Sequence, residues 1–128
     1  MANSVKVSSS ISFDYKVTNV ARTHVWNSDE PLELNGQDDG PTPKELFLSA
    51  LASCISITLR MYAQPRNWDI GQINVDLEMT ELDDRTEIVK TIEFSGELTD
   101  EQRERLLEIS DRCPVAKLLK KPIDIKLY

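Results

Sequence analysis

Histidine occurs once, at His24, and cysteine only at Cys54 and Cys113, in a chain of 128 residues. That scarcity argues against a metal site, because His24 is the sole histidine and two cysteines alone do not close a tetrahedron. The cysteines stand too far apart for a CxxC redox motif or a zinc knuckle. No GxSxG elbow is present, and a single histidine without an evident partner makes serine-type catalysis a poor reading. Positive charge is scarce as well. Against 22 acidic residues stand 15 basic ones, a net charge of −7. That balance argues against nucleic acid or an anionic membrane as partner. The one locally basic run, Lys117 to Lys121, suits a helix C-terminus. The opening MANSVKVSSS lacks an apolar core behind a basic start, so no signal peptide is expected and the expected location is the cytoplasm. Repeats, low-complexity tracts and internal boundaries are absent too, which predicts one domain over residues 1–128.

What is present is a composition of 40 % hydrophobic and 29 % charged residues, that of a soluble globular chain long enough to bury a core. The stretch GPTPKELFLSALASCISITLRMYAQPRN organises it. Thr42 followed by Glu45 reads as a capping box, with Pro43 at the first helical position. Nothing breaks the helix before about Ala63. Phe47, Ala50, Leu51, Cys54, Ile57, Thr58 and Met61 form one stripe, and Leu46, Leu48, Ile55 and Leu59 occupy much of the rest. A helix apolar on nearly every side is expected to be buried on nearly every side. The serines and Arg60 within it argue against a membrane span.

Around that helix the pattern is mostly extended. Alternation from Val5 to Val17 predicts one or two strands in a hairpin, Arg22 to Trp26 a further strand, and Leu32 to Leu34 a short one. Ile73, Val75, Leu77 and Met79 alternate with polar residues, and Thr86 to Phe94 returns after a turn at Leu82 to Arg85, an antiparallel hairpin. Thr99 opens a second helix through a second capping box, with few apolar residues and hence a surface position. Cys113-Pro114 opens a short third helix to about Leu119. Ile123, Ile125 and Leu127 alternate as a closing strand. The order predicts an α+β fold with mostly antiparallel sheets.

Chemistry then rests on thiols. Cys113 falls at a helix N-cap, where free N–H groups stabilise a thiolate, whereas Cys54 in mid-helix needs a nearby cation for the same effect. Each cysteine alone is more often an inert buried residue than a nucleophile. The residues of DEPLELNGQDDGPTPKELFLSALASCISITLRMYA and SDRCPVAKLL resemble the OsmC/Ohr family of osmotically inducible protein C and organic hydroperoxide resistance proteins. The likeness runs from about Arg22 to the C-terminus. Its most specific part is the G-P-[ST]-P-x-E-L helix bearing a cysteine, paired with a later Cys-Pro. The T-L-R-M-Y-A run is closer to the OsmC-like branch than to Ohr.

The resemblance implies an α+β, intertwined homodimer with long central helices between sheets. It also implies a cofactor-free thiol peroxidase acting on organic hydroperoxides, with Cys54 as the peroxidatic and Cys113 as the resolving cysteine. An external dithiol would regenerate it. In the family an arginine from the N-terminal strand region, held by a glutamate on the cysteine-bearing helix, activates the thiolate. Arg22 is the candidate here, with Arg60 in reserve. The family's glutamate position falls on Lys44, and Glu45 stands one step on, about 100° around the helix. His24 and Tyr62 are possible pocket residues, and the Trp26 and Trp68 rings are expected to pack in a core or interface. Two other readings stay open. One is a non-catalytic dimer binding a small apolar ligand or a partner, the other a redox sensor using the disulfide as a switch.

Overall fold

Thr42 starts the longest element by the predicted reciprocal bonds. The Glu45 N–H donates to Thr42 Oγ1 at 3.2 Å, and the Thr42 N–H donates to Glu45 Oε1 at 2.8 Å. Helix α1 then runs over Pro43–Ala63, with Pro43 contributing no orphan N–H. A 3-10 turn at Gln64–Arg66 and a left-handed Asn67 end it. The computed structural model describes residues 4–128, which divide into two units on either side of the Phe47–Leu48 bond.

The first unit holds a three-stranded antiparallel sheet of β1 (Ser8–Ile11), β2 (Val17–Ala21) and β3 (His24–Ser28), in that order. The expected hairpin forms as β1 and β2, later along the chain than the alternation suggests, with residues 12–16 as its connection. Asp14 takes a left-handed φ of 50° there, and Phe13 and Tyr15 stand exposed in the connection. The third strand lies slightly later than expected, because Arg22 and Thr23 form the turn between Ala21 and His24. Leu32–Leu34 is a 3-10 turn rather than a strand. Pro31 fixes its entry, and the left-handed Asn35 closes it through an N–H bond to the Leu32 carbonyl.

This loop is built on Asp29, which is 2 % exposed. Its Oδ1 accepts the Glu30 N–H at 2.7 Å and its Oδ2 the Asp39 N–H at 3.1 Å. Gly36 is required where the loop folds back, since a Cβ there would meet the Glu30 carbonyl oxygen at 1.9 Å. Burial opposes the Asp29 charge. The N–H groups of Glu30, Asp39 and Gln37, with Lys16 nearby, outweigh it and hold the carboxyl below the usual carboxylate range.

In the second unit β4 (Ile73–Glu81) and β5 (Thr86–Phe94) pair antiparallel in the expected register, Met79 opposite Ile88 and Val75 opposite Ile92. Helix α2 spans Asp100–Ser110 under a complete Thr99–Gln102 capping box, and α3 spans Pro114–Leu119. The core gathers Leu51, Ile55, Leu59 and Ala63 of α1 with Ile70, Leu106, Ile109 and Cys113, and the inner residues of β4 and β5 pack on it. That stripe repeats every four residues, one helix face. Burial on nearly every side is not what the chain achieves, for Phe47, Ile57 and Met61 are 42, 55 and 66 % exposed. Nor do residues 122–128 form the expected strand. Alternation alone makes no strand without an edge to pair with, and Ile123, Ile125 and Leu127 are exposed.

By length and a mean hydropathy of 1.5, the segment Pro43–Arg66 could cross a membrane. Its buried stripe is packed as a core helix is.

Leu59 is fully buried, so Leu59→Ala should cost about 2–5 kcal/mol by lost transfer energy and cavity formation, readable in urea unfolding. Asp29 is more acidic folded than unfolded. Its stabilisation is therefore present above its unfolded pKa of about 3.9 and disappears as pH falls through the lower folded value. Asp29→Asn should be less stable than wild type at neutral pH and lose less on acidification. Parallel stability–pH curves for the two proteins would show that Asp29 does not drive the acid limb.

Candidate functional site

The two cysteines arrive from opposite ends of the C-terminal unit. Cys54 follows Ser53 in mid-α1, one residue before buried Ile55, so its side chain points about 100° from the core stripe and is half-buried. Cys113 is fully buried in the core cluster. It is also the N-cap of α3, with extended backbone, and its Sγ accepts the Ala116 N–H at 3.4 Å. The preceding amide of the same turn, Val115 N–H, donates to Cys54 Sγ at 3.4 Å. Pro114 has no N–H, so the first two free amides of α3 serve the two sulfurs in turn. Both thiols are free.

This arrangement makes the thiols unequal. Burial pushes the Cys113 thiol above its ordinary pKa, the Ala116 N–H recovers part of that, and the adjacent Cys54 raises it further. Cys113 is thus held as a protonated, enclosed partner beside a sulfur that solvent reaches. Such a pair can pass from dithiol to disulfide, and the exposed member is the one a reagent meets first.

The turn carrying Cys113 is tied to the sheet. Lys90 of β5 donates from Nζ to Ser110 Oγ at 2.8 Å and is ion-paired to Asp111. Ser110 is fully buried at the end of α2, and Lys90 holds the Asp111 carboxyl below the usual range. Beside this clamp opens a cavity of about 340 Å³ walled by Leu51, Ile55, Leu77, Ile88 and Leu119, with Lys90 at its edge.

Arg22 and Glu45 belong to the first unit, both cysteines to the second. Arg22 is exposed and holds a left-handed φ of 55°, a conformation that costs a non-glycine residue free energy. Glu45 gives its Oε1 to the α1 cap. Arg60, the reserve cation, donates from Nη2 to the Gly71 carbonyl at 2.6 Å. His24 is exposed on β3. The Tyr62 hydroxyl accepts from Arg105 Nε at 2.8 Å, and the Arg66 guanidinium lies over its ring at 3.6 Å. The Arg105 hydrogen bond holds the phenol below its ordinary pKa. The Trp68 ring packs edge-on to Tyr62.

Sequence reading missed the Lys90 clamp, because a lysine on a strand carries no mark of where its amine lands. The shared helix start was half visible in Cys113-Pro114.

The pattern of OsmC-like proteins matches residues 36–128, and the chain belongs to that family. Its fold agrees. An OsmC-like protein of Mycoplasma pneumoniae superposes with a TM-score of 0.81 at 19 % identity, over 94 % of this chain and 89 % of that one. An OsmC-like protein of unknown function from Vibrio cholerae gives 0.74 at 13 %, over 94 and 96 %. The organic hydroperoxide resistance protein OhrB of Bacillus subtilis gives 0.66 at 17 %, over 97 and 96 %. No curated protein matches the sequence.

In a limited-alkylation experiment read by mass spectrometry, Cys54 should be modified well before Cys113. Lys90→Met should speed modification of Cys113 several-fold and leave Cys54 unchanged. Equal acceleration at both would mean that the clamp supports the whole unit rather than the Cys113 turn.

Proposed function

We propose that the protein is a cysteine-based peroxidase for organic hydroperoxides. The observation that carries the reading is the convergence of a half-exposed and a buried thiol on consecutive amides of α3. Family membership supports it, since relatives with this fold include an organic hydroperoxide resistance protein. The Cys54 thiolate attacks the peroxide O–O bond. One oxygen stays on sulfur as sulfenic acid and the other leaves as the alcohol after taking a proton. Cys113 then condenses with the sulfenic acid, losing its thiol proton and releasing water, and a Cys54–Cys113 disulfide forms. An external dithiol reduces it by exchange through a mixed disulfide. Arg22 is the proposed cation for the thiolate and Glu45 its proposed orienter.

The working form in this reading is a cytoplasmic homodimer. The exposed Ile57 and Met61 of α1 and the unpaired alternation of Ile123, Ile125 and Leu127 leave apolar surface that a second copy would cover. A binding reading is favoured by one feature, the apolar cavity beside the Lys90 clamp, whose size suits a small ligand. There the protein would hold an apolar molecule without turning it over.

The peroxidase reading predicts that one equivalent of an organic hydroperoxide converts both thiols to a disulfide within seconds, faster than hydrogen peroxide does. Cys54→Ser should abolish peroxide consumption. Cys113→Ser should consume one equivalent and stop, with a sulfenic acid trappable at Cys54. Two thiols unchanged after peroxide would sink the reading and leave the binding protein. Light scattering should give twice the chain mass, and Ile57→Glu with Met61→Glu should reduce it to a monomer.

A further inference from the structure

We infer that Cys54 and Cys113 together form a binding site for one linearly coordinated soft cation, Cu(I). Consecutive amides in a helical turn lie side by side, and each gives its hydrogen to a different sulfur. The sulfurs are therefore neighbours, held from two separate helices, and neither is in a disulfide. Thiolates select soft ions such as Cu(I) over harder ones. Coordination number narrows the choice further. No group of three or more histidine, cysteine or acidic side chains lies close enough to hold a metal among the described residues, so a tetrahedral ion such as zinc lacks its ligands. Two sulfurs alone satisfy an ion that takes two ligands in a line.

The surroundings suit that ion too. Cys113 sits in the apolar core with Ile55, Leu106 and Ile109, and Cys54 is the member open to solvent. An ion would enter past Cys54 and end partly enclosed, with water excluded from its inner side. Two thiolates around one monovalent ion leave a net negative charge. The Val115 and Ala116 N–H groups already point at the sulfurs that would share it, and an amide donor to an anion is among the stronger hydrogen bonds. Binding displaces the two thiol protons to solvent, forms two sulfur–copper bonds and leaves copper in its monovalent state, so no electron moves. An occupied site has no free thiolate. Copper and peroxide would compete for the same sulfur, yet the site does not depend on peroxidase activity.

The test begins with the reduced wild-type chain under nitrogen, using Ag(I) as a redox-inert probe. One equivalent should protect both thiols from alkylation together. Protection of one thiol per equivalent would mean independent cysteines and would overturn the site. Cu(I) competition against a colorimetric chelator should then give one ion per chain. Cys54→Ser and Cys113→Ser should each weaken it by at least about 100-fold, no less than the loss of an outer-shell partner costs other metal sites. X-ray absorption at the copper edge of the wild-type complex should show two sulfur neighbours. Wild-type affinity no tighter than that of either variant, or a third ligand at the edge, would refute linear capture by this pair.

Discussion

Burial of one face of α1 is the constraint on which the C-terminal unit depends. Leu51, Ile55, Leu59 and Ala63 seat the helix on the core, where Leu106 and Ile109 of α2 meet it and the inner residues of β4 and β5 pack against it. That seating fixes the rotation of the helix. Cys54 immediately precedes a residue of the stripe and is therefore turned to the margin of the core instead of its centre. The same packing encloses Cys113 completely. The difference in exposure between the two thiols follows from the hydrophobic register of α1, with no special device at either sulfur.

The order of elements in the second unit was legible because each was announced locally. The α1 and α2 starts are capping boxes, the β4–β5 hairpin alternates with period two, and Cys113-Pro114 marks a helix start. Readings failed where the deciding partner was not local. Ile123, Ile125 and Leu127 alternate as a strand would, but a strand requires an edge, and among the described residues none pairs with them. Leu32 to Leu34 looked extended until Pro31 and the left-handed Asn35 closed them into a turn. The breadth of the apolar surface on α1 was read correctly, whereas its burial depends on what covers it.

The site was legible to the same degree. Two cysteines and a helix-opening proline were visible, and the family resemblance paired them. Composition alone could not reveal that they meet, because neighbouring sulfurs leave no trace in linear spacing. The backbone donors of Val115 and Ala116 were invisible for a simpler reason: every residue but proline has an N–H, and only the fold decides which are spare. Arg22 carries a signal that sequence could not give, a left-handed backbone on an arginine.

One detail of α3 reaches further than the site itself. An N-cap is ordinarily supplied by the chain just before the helix, and Cys113 does that for Ala116. The Val115 amide is completed by a side chain from another helix. The first turn of this six-residue helix is consequently held by an atom whose chemistry can change. Adding oxygen, an alkyl group or any other substituent to the Cys54 sulfur alters the acceptor that Val115 sees. A covalent event on α1 would thereby reach the first turn of α3, and amide hydrogen exchange at Val115 would gauge the state of a sulfur on another element.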